Sequence, residues 1–212
     1  MNRIITIGRE FGSGGRELGR RLSEKLGIAY YDQEIMTEIA NRTELSEQYV
    51  QRIVEHKPIL SFPIHTGRTL LALSTANRSP LEQNLEIFRE QTNIIREMAQ
   101  NSDCVIVGRC ADYILRDFED CLHVFIRSTE EDCIHRVTTY YGVARDKAAE
   151  EIKKMDRQRG AHCKRYTDRT WGAAENYDLM LNTARFGIDG CVELIAEAAQ
   201  RAFHPSQGDS VY

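Results

Sequence analysis

Long hydrophobic runs and an excess of basic residues are both missing from this sequence. No apolar stretch approaches the roughly 20 residues that a membrane-spanning helix needs, so we expect no membrane partner. The net charge of -4 argues against a protein that coats nucleic acid. An apolar strand begins within a few residues of Met1 and leaves no room for a signal peptide. We therefore expect a cytoplasmic protein.

Metal-ligand spacing is missing as well. The six cysteines form no CxxC pair and have no CxxH neighbour, which argues against a zinc site. The six histidines show no ligand spacing either, and none is assigned to chemistry. Because no secretory signal is expected, the cysteines are predicted to be reduced and to act as small apolar core residues.

Strands and helices alternate along the chain, and no repeat, low-complexity tract or linker divides it. Short apolar runs, of which CVIVG and CLHVFI are examples, are each followed by a helical pattern. Continuous apolar runs are typical of parallel strands that are buried on both faces. The pattern predicts an α/β fold of three layers, in which a five-stranded parallel sheet carries helices on both faces. It also predicts one domain over residues 1–204 and a flexible tail over residues 205–212.

A glycine-rich loop follows the first strand in ITIGREFGSGGRELGRRL. Gly12, Gly14 and Gly15 allow the backbone to turn its amides inward, which favours binding of an anion. The next helix points the positive end of its dipole at the same place. The pattern indicates a phosphate-binding loop, and the alternative is a turn that only connects a strand to a helix.

The lysine that phosphate-binding loops normally carry is missing from this loop. Arg16 is the basic residue at the helix entrance and is the predicted replacement. Arg9 lies at the end of the strand and Arg20 one turn into the helix, so both are expected to reach phosphates less directly.

A second long helix is predicted for SPLEQNLEIFREQTNIIREMAQ. Ser79 is a suitable N-cap, Pro80 fits the first helical position, and Glu82 completes a capping box. Helical spacing predicts that its buried face consists of Leu81, Leu85, Phe88, Ile95 and Ala99.

Several motifs, taken in order, resemble those of the P-loop nucleoside monophosphate kinases, and most of all the cytidylate kinase-like family. FGSGGRE and YYDQEI occupy the places of that family's GxxGxGKGT loop and of its LDSGA strand end. VIVGRC corresponds to the GRD motif, FIRSTEEDCIHRV to FLTASxEERAxRR, and MDRQR to the late DxxR pair. The closing strand and helix of the family are echoed by YDLMLNTARFGIDGCVELI.

The resemblance implies a P-loop nucleoside-triphosphate-binding fold with a helical acceptor-binding insertion over residues 33–100 and a lid over residues 136–170. It implies ATP- and Mg²⁺-dependent transfer of a phosphoryl group to a nucleoside monophosphate, with CMP or dCMP as the first candidate. No nucleic acid partner is expected, and the oligomeric state stays open.

The same resemblance implies roles for individual residues. The loop residues expected to hold ATP are Gly12, Ser13, Gly14, Gly15, Arg16 and Glu17, with Glu17 also placing Mg²⁺. The catalytic cations are expected to be Arg16, Arg136 and Arg157. The acceptor is expected to contact Asp32, Arg109, Asp156 and Arg159. Two of these have alternatives, because Asp32 also suits the N-cap of the following helix and Arg109 also suits a surface or salt-bridge residue.

The sequence departs from the family's pattern around both substrates. The lysine aligns with Gly15, or with Arg16 if the loop carries one extra residue, and Glu17 then replaces the hydroxyl residue that touches Mg²⁺. On the acceptor side, Gln33 and Glu38 replace a serine and a phosphate-binding arginine. Two alternatives therefore stay open, namely a P-loop kinase for another small acceptor and a non-catalytic nucleotide-binding regulatory protein.

Overall fold

Five parallel strands form a single sheet in the computed structural model, which describes residues 2–43, 45–47, 50 and 80–203. The strands are β1 (Ile4–Arg9), β2 (Ala29–Tyr31), β3 (Cys104–Val107), β4 (Cys121–Arg127) and β5 (Leu179–Asn182). Their order across the sheet is β2-β3-β1-β4-β5, so the first strand lies at the centre. The predicted five-stranded parallel sheet is confirmed.

The α-helices connect the strands in the order that the sequence predicted. They are α1 (Gly15–Leu26), α2 (Glu34–Thr43), α3 (Pro80–Asn101), α4 (Ala111–Ile114), α5 (Glu130–Tyr141), α6 (Arg145–Thr167) and α7 (Thr183–Phe203). α7 is kinked at Gly187, which has φ 69° and ψ 171°. Within the described ranges, no helix combines the length and the apolar character needed to cross a bilayer.

The two faces of the sheet bury separate hydrophobic clusters. Ile4 and Ile106 pack with residues of α2, α3 and α4 on one face. Ile5, Ile7 and Val105 pack with residues of α1 and α7 on the other. Because successive side chains of a strand point to opposite faces, the central strand supplies apolar residues to both layers. The predicted three-layer arrangement of an α/β fold is confirmed.

The long helix α3 begins at Pro80, but its predicted buried face is only partly right. Ile95 and Ala99 are buried, whereas Leu85 is 44% exposed. The inner positions near its N-terminal half are instead occupied by polar side chains, among them Gln91, which is fully buried. Gln91 donates a hydrogen bond from Nε2 to the carbonyl of Arg109 at 2.9 Å. The helix therefore uses this face to hold the turn after β3, which a count of apolar residues cannot show.

Some predictions fall on residues 44, 48–49, 51–79 and 204–212, which lie outside the described residues. They include the cap at Ser79, nearly half of the predicted insertion and the predicted tail. The side chain of Leu81 lies outside them too. Within the predicted insertion, α2 and the part of α3 up to residue 100 are the long described elements, and both are helical.

Candidate active site

A cavity of about 240 Å³ opens at the carboxyl ends of β1 and β3. This is the edge of a parallel sheet at which α/β proteins bind ligands. The glycine-rich loop, the turn after β3 and helix α6 form its walls, and Trp171 and Tyr177 complete them. A neighbouring cavity shares Gly14 and Arg16 with the first and is also lined by Glu17, Asp32 and Arg136.

The loop has the predicted backbone conformation at Gly12 and Gly14 but not at Gly15, which begins helix α1. Gly12 and Gly14 have φ values of 84° and 81°, in the left-handed region that favours glycine. A Cβ atom on Gly12 would come within 2.8 Å of the carbonyl oxygen of Cys133, so this position has no room for a side chain. Among the described residues, no protein acceptor receives a hydrogen bond from the amides of Gly12, Gly14, Gly15 or Arg16. These amides are free to bind an anion.

Ser13 supports the loop instead of lining the cavity. Its side chain is fully buried, and its hydroxyl donates to the carbonyl of Glu10 at 2.8 Å. Its own carbonyl accepts a hydrogen bond from the hydroxyl of Thr183 at 2.8 Å. Both contacts fix the shape of the loop.

Arg9 occupies the wall of the cavity, although the sequence indicated a less direct position. Helix α1 begins at Gly15, and a Cβ atom on Gly15 would lie 2.6 Å from Cβ of Arg9 and 3.0 Å from its Cγ. The Arg9 side chain is only 13% exposed, and its guanidinium passes beside Gly108. The signal in the sequence is alternation along β1, because Arg9 has the same parity as Ile5 and Ile7, which face α1.

Four arginines meet around this cavity, namely Arg9, Arg16, Arg109 and Arg159. Burial is the main cause that lowers the pKa of Arg9 to about 9; the nearby charges of Arg159, Arg109 and Arg16 act in the same direction, and Asp32 opposes them. A buried cation surrounded by three others is unfavourable without an anion to neutralise them. The local charge of the site is thus suited to phosphate groups, although the chain as a whole is acidic.

Asp32 pairs with a loop arginine and does not cap a helix. Its Oδ2 lies 2.6 Å from Nε of Arg16, and its side chain is 3% exposed. Helix α2 begins at Glu34, whose Oε2 accepts a hydrogen bond from the amide of Asp32 at 3.0 Å. Because no α2 amide donates to Asp32 in the described residues, the capping alternative is wrong. Asp32 Oδ1 is buried and has no hydrogen-bond partner in this part of the chain.

Glu17 is held by two arginines at the start of α1. Its Oε1 lies 2.5 Å from Nη2 of Arg21, and its Oε2 lies 2.5 Å from Nη2 of Arg136. The hydrogen bond from Arg136 is the main cause that lowers the pKa of Glu17, and burial opposes it. The predicted lid arginine Arg136 therefore does reach the loop, and it does so through Glu17.

These contacts decide which carboxylate fits Mg²⁺. Mg²⁺ is usually held by one or two carboxylates together with substrate phosphates and waters. Both oxygens of Glu17 are engaged by arginines, whereas Oδ1 of Asp32 is buried, accepts no hydrogen bond among the described residues and faces Arg9 only at 4.0 Å. In the described part of the chain, no group of three or more His, Cys, Asp or Glu side chains could hold a metal ion by itself. Asp32 thus fits the ion better than Glu17 does.

Arg109 lies on the turn after β3 with its backbone in an unusual conformation. Arg109 and Cys110 have φ values of 60° and 53°, which side chains other than glycine seldom adopt. Arg109 is buried and lines the cavity. Such conformations cost free energy and are found preferentially at functional sites. The site interpretation of Arg109 is thereby favoured over a surface role.

Helix α6 is tied to the loop by the predicted Asp156 and Arg159. Asp156 Oδ1 accepts hydrogen bonds from the amide of Phe11 at 2.8 Å and from Nη1 of Arg159 at 3.1 Å. Arg159 also donates to the carbonyl of Arg9 at 3.0 Å and lines the cavity. Arg157 is different, because it is exposed and donates to the carbonyl of Lys153 on its own helix at 3.2 Å. The structure does not bring Arg157 to the cavity.

Sequence reasoning missed two further residues of the cavity wall, His162 and Cys163. Burial, with smaller contributions from Arg109 and Arg165, lowers the pKa of His162 to about 4. His162 is therefore neutral near pH 7 and adds no charge to the arginine cluster. Cys163 is in contact with Thr167 on the same helix, with 3.4 Å between sulfur and hydroxyl oxygen. No sequence motif or spacing marks either residue as part of the site.

The pKa of Asp156 gives a test of this part of the site. Burial is the main cause that raises it from 3.8 to about 6, while the contacts with Phe11 and Arg159 oppose the change. The folded chain therefore binds this proton more tightly than the unfolded chain does. Relative to Asp156→Asn, the free energy of unfolding of the wild type should fall as the pH rises from about 4 to about 6, and the difference should then level off. Urea unfolding at several pH values measures it, and a constant difference would contradict this environment for Asp156.

Comparison with known proteins points to the same class of protein as the geometry of the site does. The profile described as the cytidylate kinase-like family matches residues 4–185, which is most of the chain. The chain belongs to the cytidylate kinase-like family. The resemblance predicted from the loop and strand-end motifs is confirmed, and a kinase-like phosphotransferase of the P-loop class is the protein type that these motifs indicate.

Two relatives and two solved structures match nearly the whole chain. A cytidylate kinase of Methanopyrus kandleri is 24% identical over 208 residues and covers 92% of each chain. A cytidylate kinase of Thermococcus sibiricus is 25% identical over 205 residues, 94% of this chain and 89% of its own. An uncharacterised protein of Eubacterium ventriosum matches with a TM-score of 0.70 at 26% identity, over 94% of this chain and 99% of its own. The shikimate kinase of Bacteroides thetaiotaomicron has a TM-score of 0.55 at 13% identity, over 93% and 98% of the two chains, and shares the fold.

Proposed function

We propose that this cytidylate kinase-like protein transfers the terminal phosphoryl group of ATP to a nucleoside monophosphate, with CMP or dCMP as the preferred acceptor. The observation that carries the proposal is the group of four arginines, Arg9, Arg16, Arg109 and Arg159, around a loop with unengaged amides. Phosphoryl transfer needs little covalent chemistry from a protein, because positioning and charge neutralisation supply most of the catalysis.

In the proposed reaction, a phosphate oxygen of the acceptor forms a bond to the γ-phosphorus of ATP. The bond between that phosphorus and the bridging oxygen breaks, and ADP leaves with the electron pair. The amides of Gly12, Gly14, Gly15 and Arg16 hold the donor phosphates, and Arg16 adds charge at the start of α1. Arg109 and Arg159 hold the acceptor phosphate from the turn after β3 and from α6.

Two carboxylates, Asp156 and Glu17, each position one arginine of the site. Asp156 orients Arg159 and holds α6 against the loop, as its contact with the Phe11 amide supports. Glu17 orients Arg136 at the loop. Mg²⁺, when bound, neutralises phosphate charge, and Asp32 is the carboxylate that we propose to hold it. Arg157 has no part in this proposal, because its side chain is exposed on the outer side of α6.

One alternative function is a non-catalytic nucleotide-binding regulatory protein. It is favoured by the loop itself, which lacks the lysine and whose Arg16 and Glu17 are both engaged in ion pairs. A second alternative is a kinase for another small acceptor, which the changes at Gln33 and Glu38 favour. These alternatives differ in the ligands that each one binds.

Thermal denaturation with single and paired ligands tests the proposal. A ligand at about 100 times its Kd stabilises the folded chain by about 2.7 kcal/mol. A kinase for nucleoside monophosphates should be stabilised by MgATP, by CMP or dCMP, and by the two together beyond either one. Stabilisation by the triphosphate alone would favour the regulatory alternative, and the absence of any nucleotide effect would contradict nucleotide binding.

A further inference from the structure

The loop has no space for a lysine at the aligned position. A Cβ atom on Gly15 would meet Cβ of Arg9 at 2.6 Å and Cγ of Arg9 at 3.0 Å. Both contacts are tighter than ordinary van der Waals distances, and the first involves an atom next to the backbone. The stem of Arg9 thus fills the place from which the side chain of a loop lysine would begin. The absence of the loop lysine and the burial of Arg9 are therefore linked, because the Arg9 side chain occupies the space that the lysine would need.

The guanidinium of Arg9 lies between the loop and the turn that carries Arg109. A Cβ atom on Gly108 would overlap Nη1 of Arg9 and would also approach the rest of its guanidinium. Gly108 has φ 76°, so two independent features require glycine at this position. The loop is the proposed donor side and Arg109 the proposed acceptor side. The Arg9 guanidinium is therefore placed where the transferred phosphoryl group must pass.

Arg9 and Arg16 differ in how strongly a carboxylate holds them. Arg16 is 44% exposed at the side chain, and its Nε lies 2.6 Å from Oδ2 of Asp32. Arg9 is 13% exposed, and its Nη2 lies 4.0 Å from Oδ1 of the same carboxylate, beyond hydrogen-bond distance. In the part of the chain that the structure describes, this is the one ion pair of Arg9. Its donors therefore remain available to a phosphate.

We propose that Arg9 is a catalytic residue that binds the γ-phosphoryl group of ATP in place of the missing loop lysine. This inference rests on the proposed function, because it assigns a role within that reaction. The guanidinium offers a planar fork of donors that matches two phosphate oxygens. The positive charge would then come from an arginine at the end of the central strand β1, and not from a lysine at the helix entrance.

Binding of ATP and ADP separates this role from a structural one. Arg9→Met removes the charge and keeps a long apolar stem. It should weaken binding of ATP by about tenfold or more and change binding of ADP little, since ADP lacks the γ-phosphoryl group. Isothermal titration with each nucleotide measures both affinities, and thermal denaturation checks folding. The control is Arg201→Met, because Arg201 lies exposed near the end of α7 in an ion pair with Glu197 and should leave both affinities unchanged.

Two further variants keep the test decisive if Arg9→Met does not fold. Arg9→Lys keeps the charge without the fork, and it should lower the affinity for ATP by several-fold while the affinity for ADP stays the same. Arg9→Gly combined with Gly15→Lys clears the Cβ contact and restores a lysine to the loop. This pair should recover affinity for ATP that Arg9→Gly alone loses.

The outcome for Arg9 is distinguishable from the outcome for the proposed function. Loss of ATP affinity alone in Arg9→Met supports the inference, even if the wild type transfers phosphoryl to no monophosphate and the proposed function fails. Equal weakening of ATP and ADP, or no weakening of either, would overturn the inference while leaving the wild-type activity as a separate question.

Discussion

Gly108→Ala should reduce kcat/KM for phosphoryl transfer by about 100-fold, the scale expected when one contact to transition-state charge is lost. The new Cβ would overlap the guanidinium of Arg9, which must then leave its place beside the turn. The effect acts through Arg9 and requires no contact between Gly108 and substrate. Steady-state kinetics with saturating and limiting ATP measure it.

Gly27→Ala is the matched control for this variant. Gly27 has φ 65°, close to the 76° of Gly108, so both alanines pay a similar backbone cost of about 1–2 kcal/mol. A Cβ atom on Gly27 would meet nothing within 4 Å. Gly27→Ala should therefore lose stability and keep its activity. Equal activity losses in the two variants would show that backbone strain, and not displacement of Arg9, causes the effect.

Arg159→Ala should lower kcat/KM by about 100- to 1,000-fold. It removes a cation from the cavity wall, the contact that joins α6 to the carbonyl of Arg9 at 3.0 Å, and the contact within α6 to Asp156 at 3.1 Å. It also leaves the buried Asp156 carboxylate without its arginine, which adds a loss of stability. Activity and unfolding by urea should be measured on the same preparation, so that the two losses can be separated.

Arg157→Ala provides the comparison on the same helix. Its guanidinium lies outside the cavity and contacts only the carbonyl of Lys153 among the described residues. Removing it should leave kcat/KM close to that of the wild type. If Arg157→Ala loses as much activity as Arg159→Ala, helix α6 must present a different face to the substrates than the one seen here.

Local patterns were sufficient for most of the fold. The apolar runs of β3 and β4 predicted buried parallel strands, because continuous hydrophobic segments bounded by turns suit a sheet covered on both faces. Leu18 and Leu22 are four residues apart, the spacing of an inner helix face, and both are fully buried. The conformations of Gly12 and Gly14 followed from their sequence positions between a strand and a helix.

The partners of charged residues could not be predicted in the same way. Arg16 and Asp32 are 16 positions apart and meet only after β2 is placed in the sheet. Gln91 is buried because the carbonyl of Arg109 needs a donor, a requirement that does not appear in the local pattern of α3. The burial of Arg9 depends on the absence of Cβ atoms at Gly15 and Gly108, which belong to different segments. Such features arise from tertiary contacts and have no periodic signal.

The family resemblance identified the region of the site, and the roles that it implied for single side chains stay predictions. It pointed to the loop, to the turn at Arg109 and to α6, all of which line one cavity. It favoured Arg16 as the substitute for the lysine because Arg16 is adjacent in sequence. We propose the strand residue Arg9 for that role, since its side chain fills the space that Gly15 leaves open.

Formation of ADP from MgATP in the presence of single nucleoside monophosphates measures the proposed phosphoryl transfer itself. A coupled assay of ADP release should be run with CMP, dCMP, UMP, AMP and GMP, and with no acceptor as the control. We expect rapid ADP release with CMP or dCMP, accompanied by an equal amount of the corresponding diphosphate. Binding of ATP without ADP release above the control for any monophosphate would contradict it.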